Sequence, residues 1–162
     1  DEAQWQNANL NQVLESTLNV VSGDLKYKAR VVRNFGDLPA VRCIPAQLGQ
    51  VFMNLLVNAG QAIESTGTIT LRTGHADGYA WIEIEDTGNG IPPEVQRRIF
   101  EPFFTTKPVG KGTGLGLSIS WEIVQRHGGT ISVDSEAGRG TCFRVRLPIA
   151  GPGLAGGKSS AP

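Results

Sequence analysis

Neither sign of charge dominates this chain: 15 basic residues are matched by 15 acidic ones across 162 positions. That balance gives no electrostatic footing for a nucleic-acid backbone or an anionic membrane surface, and neither is expected as a partner. No apolar run approaches the ~20 residues needed to cross a bilayer. The first residues do not read as a secretory signal peptide. Cysteine is scarce, and Cys43 and Cys142 form no CxxC pair and no metal-like cluster with His75 or His127. Two reduced, strand-buried thiols in a cytoplasmic protein are the expectation. The common nucleotide fingerprints are missing as well. The alternation around Gly112 is G-x-G-x-G with Leu117 following, which is not the dinucleotide pattern, and the tail "GGKSS" has Pro152 where a P-loop needs its first glycine.

What is present is the composition of one globular domain, 40% hydrophobic and 19% charged, long enough to bury a core. Leu10, Val13, Leu14, Leu18 and Val21 recur at helical spacing, with Asn9 at the N-cap position and Gly23 as the stop. Segments 28–33 and 40–43 read as short strands. Pro45 opens a long helix to about residue 65, with an apolar stripe of Leu48, Val51, Phe52, Leu55, Leu56, Ala59, Ala62 and Ile63, and Gly67 ends it. Segments 68–73 and 80–86 read as a hairpin with His75 in its turn. A short helix over 92–99, a long loop over 101–113, a helix over 115–127 closed by Gly128 and Gly129, and strands over 130–135 and 141–147 complete the order. The expected fold is an α/β two-layer sandwich: one mixed, mostly antiparallel sheet covered on one face by about three helices. Residues 1–9 read as the end of a linker, 10–149 as the domain, and 150–162 as a disordered Gly/Pro/Ser-rich tail.

Opposite the apolar stripe of the long helix lie Gln47, Gln50, Asn54, Asn58 and Gln61, at spacings of 3, 4, 4 and 3. A merely solvated face would mix Lys with Glu, whereas neutral amide oxygens can serve a hard cation such as Mg2+. In "WIEIEDTGNGI", Ile82, Ile84 and Asp86 share one face of a strand, so a carboxylate sits at the rim of an apolar surface and needs partners. A plain strand-ending turn is the bland alternative. Thr141 shares a core-side face with Phe143, Val145 and Leu147, and its hydroxyl can share a water with such a carboxylate. In "GKGTGLGLS", the alternating Gly110, Gly112, Gly114 and Gly116 run into a helix, with Lys107 and Lys111 nearby. Free amides and a positive dipole end make a helix N-terminus a phosphate site in principle.

Together these pieces resemble the catalytic ATP-binding domain of sensor histidine kinases, part of the wider GHKL group that includes gyrase and MutL. "QVFMNLLVNAGQAI" is similar to that family's N box, "DTGNG" to its first glycine box, "IFEPFFTTK" to its F box and "GTGLGLS" to its second glycine box. "GRGTCFRVRLP" is similar to its closing strand. The four boxes stand in the family's order, and the likeness runs from about Asn9 to Pro148. "NAGQAI" and "EPFFTTK" look most like the nitrogen-regulation type.

The resemblance implies ATP and Mg2+ as cofactors, with Asn58 on the metal and Asn54 supporting metal and phosphates. It implies that Asp86 accepts from the adenine amino group, that Gly88, Gly90 and Ile91 border the purine, and that Thr141 helps hold a water between Asp86 and adenine. Gly112, Thr113, Gly114, Leu115, Gly116 and Leu117 would supply the lid hinge and phosphate-facing amides, and Phe100, Phe103 and Phe104 would anchor the lid. Many members carry Lys or Arg three residues after the metal Asn; here that position is Gln61, which shifts phosphate charge toward Lys107 and Lys111 without deciding between them. Hydrolytic relatives carry a Glu general base where this chain has Asn54, and a carboxamide is no useful base at neutral pH. The implied activity is therefore phosphoryl transfer to a histidine on a dimerisation domain outside this chain, and from there to a response-regulator receiver domain. His75 and His127 do not look like that acceptor; His127, at a helix end, suits a cation on the dipole. An anti-sigma-type serine kinase or sequestering module shares the fold, but the F box speaks against it. A scaffold that has lost nucleotide binding is opposed by the intact Asn58, Asp86 and glycine boxes.

Overall fold

The computed structural model describes residues 4–105 and 116–152. A three-residue strand, β1 (Gln6–Ala8), leads into α1 (Leu10–Leu25), followed by β2 (Ala29–Asn34) and β3 (Val41–Cys43). Helix α2 (Pro45–Ala62) precedes the hairpin of β4 (Gly67–Ala76) and β5 (Tyr79–Asp86). The one-turn α3 (Pro93–Gln96), α4 (Gly116–Arg126), β6 (Thr130–Glu136) and β7 (Gly140–Pro148) follow.

Five strands form one sheet in the order β2-β4-β5-β7-β6. Only β2 and β4 are parallel; α2 lies in the crossover between them, as a parallel pair requires. The other neighbours are antiparallel. Helix α2 packs between α1 and α4 and against the sheet. Its Leu48, Val51, Phe52, Leu55, Leu56 and Ala59 meet Ile69, Leu71, Ile82, Ile84 and Val145 in one buried core. The opposite sheet face carries charge, with Glu83 taking Arg72 at 2.8 Å and Arg144 at 2.7 Å. The expected two-layer sandwich with a mixed, mostly antiparallel sheet is the fold observed.

Local chemistry explains most boundaries and several departures. The Asn9 side chain accepts the Gln12 N–H at 3.3 Å and so caps α1. The helix does not stop at Gly23, which faces open space and is carried through by Leu25, buried on the apolar stripe. Helix α2 ends at Ala62, three residues short of the expected end, and Gly67 opens β4 by donating its N–H to the Lys28 carbonyl at 2.8 Å. His75 lies within β4 opposite Ala80; the hairpin turn is Asp77 and Gly78. The expected helix over 92–99 shrinks to one turn, started by Pro92 and Pro93. Residues 6–8, read as linker, pair with β3 in a second, two-stranded sheet. At the other end Gly151 is buried and donates to the Pro148 carbonyl at 3.2 Å.

Candidate functional site

Strand register builds the first half of the site. Ile69, Asp86, Thr141 and Ser135 stand directly opposite one another across β4, β5, β7 and β6. Directly opposed residues project to the same face, so Asp86 continues the core-side row of Ile82 and Ile84. It is only 4% exposed. One carboxylate oxygen, Oδ1, accepts the Gly88 N–H at 2.8 Å. Burial pushes the Asp86 carboxyl above its ordinary value, while backbone N–H groups of Gly88 and Thr141 pull the other way and Glu85 adds a small push upward. A buried acceptor at the end of an apolar row suits a ligand that brings its own N–H donor.

The loop after Asp86 is fitted against two neighbours. A Cβ on Gly88 would stand 2.5 Å from the Ala62 carbonyl oxygen, and the Asn89 N–H donates to that same oxygen at 3.0 Å. The end of α2 and the end of β5 are thereby joined. Gly90 adopts φ +75°, and a Cβ there would lie 2.1 Å from the Glu136 carbonyl oxygen. The glycines expected to border a purine are thus needed by backbone packing in their own right. Ile91 follows, half-buried, its N–H donated to Ser135 Oγ at 2.8 Å.

Helix α2 supplies the second half. Asn54 Nδ2 donates to the Gly116 carbonyl at 3.0 Å and to Ser120 Oγ at 3.1 Å. Ser120 donates to the same carbonyl at 2.9 Å. The first turn of α4 is therefore held to α2 by an amide used as a donor, which a carboxylate in its place could not be. Asn58, one turn further along, is half-buried and engaged. Gln47 accepts from Arg126 at 3.1 Å, and Gln50 and Gln61 are exposed. Of the five carboxamides on one face, Gln47, Asn54 and Asn58 are half-buried and engaged, and Gln50 and Gln61 are exposed.

Of the expected lid anchors, Phe100 meets Phe143 edge-on at 6.4 Å between ring centroids. Phe104 is half-buried with the Arg98 guanidinium 4.5 Å above its ring. Among the described residues Phe103 does not pack into the core: it takes φ +66° and is 73% exposed. Leu117 packs against the core. Lys107, Lys111, Gly112, Thr113, Gly114 and Leu115 lie outside the described residues.

Sequence reasoning missed Ser135, Gln96 and Ser120, and misassigned His127. The signal for Ser135 was available, since it follows Ile131 and Val133 at period two on the core side of β6. His127 does not sit as a cation on a helix dipole. It is buried, its Nε2 accepts the Ile44 N–H at 3.0 Å, and its Nδ1 bonds the Ile123 carbonyl at 2.8 Å. One nitrogen accepts and the other donates, which is the neutral imidazole. Burial first, and Arg126 to a lesser degree, hold its pKa below the ordinary histidine value. Cys43 and Cys142 are free thiols pushed up to about 11 by burial, so neither offers a thiolate nucleophile at neutral pH. Among the described residues no group of three or more His, Cys, Asp or Glu is gathered to hold a metal. Among the described residues no helix is long and apolar enough to cross a membrane.

A buried carboxylate beside a glycine turn is joined to an amide-bearing helix that holds the start of another helix, and the N box and first glycine box fall on these residues. Residues 43–151 match the family described as histidine kinase-, DNA gyrase B-, and HSP90-like ATPase, and the chain belongs to it. It is similar to the sensor kinase CckA of Brucella abortus (strain 2308), 49% identical over 127 residues, covering 69% of this chain and 13% of that protein. It is also similar to the signal transduction histidine-protein kinase AtoS of Escherichia coli (strain K12), 39% identical over 150 residues, covering 91% of this chain and 24% of that one. The chain thus spans about a quarter or less of these relatives' lengths. Among solved structures, the catalytic domain of the histidine kinase ThkA superposes with a TM-score of 0.82 at 28% identity, covering 91% of this chain and 97% of that one. ThkA in complex with the response regulator TrrA matches with a TM-score of 0.77 at 26% identity, covering 90% of this chain and 42% of that one.

Proposed function

We propose that this chain is the catalytic domain of a two-component sensor histidine kinase, which binds Mg2+-ATP and presents the γ-phosphate to a histidine outside the chain. The observation that carries the choice of transfer over hydrolysis is Asn54. Its amide is engaged as a donor to Gly116 and Ser120, so the position where hydrolytic members keep a general base holds a helix instead. Phosphoryl transfer needs little more from a protein than positioning and charge stabilisation. Asp86 accepts the adenine amino group, Thr141 faces the same end of the base, and Asn58 reaches the metal. A Mg2+ ion held through Asn58 and the nucleotide's own oxygens would supply charge neutralisation to the phosphates.

With Gln61 neutral and exposed, phosphate charge on the protein side falls to Lys107 and Lys111, and the amides from Gly112 to Leu117 face the phosphates. Neither described histidine suits the acceptor role: His127 is buried and bonded, and His75 lies on a strand remote from the Asp86 end of the hairpin. The acceptor then belongs to a dimerisation domain outside this catalytic unit, whose packed residues include 6–8, paired with β3, and Gly151. A response-regulator receiver completes the relay, a role supported by the ThkA–TrrA complex. Because ATP is the substrate, the domain works on the cytoplasmic side, whatever anchors its parent.

The direct test is calorimetric titration of ATP with and without Mg2+. The wild-type chain is expected to bind ATP more tightly with Mg2+, and Asn58→Ala to lose that gain through loss of the amide oxygen on the metal. Unchanged Mg2+-ATP affinity in Asn58→Ala contradicts the assignment.

A further inference from the structure

Ser135 lies at the end of the row that begins with Asp86, and its hydroxyl is fully committed. It accepts the Ile91 N–H at 2.8 Å. It lies 2.9 Å from the Gly140 carbonyl and 2.7 Å from Thr141 Oγ1. A serine hydroxyl has one proton and two lone pairs. The Gly140 carbonyl can only accept, so it takes the Ser135 proton. The Ile91 N–H can only donate, so it takes one lone pair. The remaining lone pair must then receive the proton of Thr141. Gln96 fixes the arrangement from outside, its Nε2 donating to the Ile91 carbonyl at 2.7 Å and to the Ser135 carbonyl at 3.0 Å.

The consequence falls on Thr141. A free threonine hydroxyl rotates to suit its partner, donating or accepting as needed. Here its proton points away from Asp86 toward β6, and the oxygen offers only lone pairs on the Asp86 side. An ionised Asp86 also offers only acceptors. Two adjacent acceptor-only groups favour a ligand edge, or a bridging water, that donates at that point.

We propose that Ser135 is a positioning residue for base recognition: by taking the Thr141 proton it fixes Thr141 as an acceptor beside Asp86, and so sharpens selection of a 6-amino purine over a 6-oxo purine. The inference rests on the nucleotide reading above, in which Asp86 receives the base. A 6-oxo purine reverses the edge, with an acceptor at position 6 and its donor at N1, so at the position where the 6-amino group donates its oxygen meets only acceptors while Thr141 donates to Ser135. Without Ser135 the Thr141 hydroxyl turns, donates toward the site, and makes that 6-oxo group easier to accept.

The test is the ratio of Mg2+-ATP to Mg2+-ITP affinity, measured by calorimetry on the whole chain. Ser135→Ala is expected to reduce that preference for ATP by about three- to tenfold, the scale of one neutral hydrogen bond. Ser135→Thr, which keeps the hydroxyl, is expected to retain the preference. A loop merely loosened by loss of the Ile91 bond would weaken both nucleotides equally, so an unchanged ratio overturns the proposal. Thr141→Val removes the group through which Ser135 acts. Ser135→Ala added to Thr141→Val is expected to leave the ratio where Thr141→Val set it, and a further shift overturns the proposal. If Ser135→Ala fails to fold, comparison of Ser135→Thr with Ser135→Cys replaces it, the thiol being the weaker donor and acceptor; equal ratios in those two then overturn the proposal. Wild-type chain that binds neither nucleotide removes the nucleotide reading itself, an outcome distinct from a measured ratio that Ser135 does not move.

Discussion

At the scale of single residues, Asp86 sets function against stability. Its carboxyl is held above the ordinary 3.8 by burial. A raised carboxyl pKa contributes stability that is present below the ordinary value and lost as pH rises through the raised one. Ionising the buried carboxyl therefore costs the folded chain stability. Asp86→Asn retains an oxygen for the Gly88 N–H and removes that charge. It is expected to raise the melting temperature at neutral pH, and the gain should vanish in acid below the carboxylate range. The same variant should bind ATP about tenfold or more weakly, because a hydrogen bond to a charged acceptor is replaced by one to a neutral group. A melting temperature unchanged or lowered at neutral pH, measured by calorimetry, contradicts the account of Asp86. Both Asp86 and Thr141 were legible in the sequence, since strand alternation places them beside known core residues. Phe103 was not, because its φ of +66° leaves no trace in an aromatic-rich motif. Ser135 was legible in principle, but serine carries too weak a hydrophobic signal to draw attention at the end of a strand.

At the scale of elements, His127 ties three of them together. It ends α4, accepts the N–H of Ile44 at the N-cap of α2, and lies 4.8 Å from the Trp5 ring that precedes β1. Ile44 has no side-chain cap of its own to offer. Protonation of His127 removes the lone pair that takes the Ile44 N–H. A histidine with a lowered folded pKa contributes stability present above its ordinary 6.5 and lost as pH falls through the folded value. The His127 contribution should be lost as pH falls below 6.5, against the opposite slope of Asp86, so thermal melts between about pH 7.5 and pH 5 compare the wild type with a His127 variant. His127→Gln, which cannot titrate, is expected to lose less melting temperature toward acid than the wild type, whatever its absolute stability. Parallel slopes contradict the role given to His127. Long elements with clear periodicity, such as α2 and the β4–β5 hairpin, were legible from end to end within a few residues. The three-residue β1 was not, because its identity depends on pairing with β3 and not on any pattern of its own. Gly23 misled for a related reason: the buried Leu25 overrides the local cost of glycine in α1.

At the scale of the whole molecule, the order of helices and strands was enough to give the two-layer fold, because a sheet with one apolar face has few ways to cover it. The parallel pairing of β2 with β4 was not legible, since it follows from where the α2 crossover lands. What the fold accomplishes is to bring two separate chemistries to one side of the sheet. The acceptor row on β5, β7 and β6 is joined to the amide-bearing α2 where Gly88 and Asn89 pack against Ala62. Asn54, tied to the start of α4, is the centre of the claim that this assembly holds ATP without spending it on water. The measurement that tests this most directly is a phosphorus NMR time course of Mg2+-ATP with the purified chain. The expected result is shifted or broadened ATP resonances with almost no free phosphate. Rapid release of inorganic phosphate, or ATP resonances left unperturbed, contradicts it.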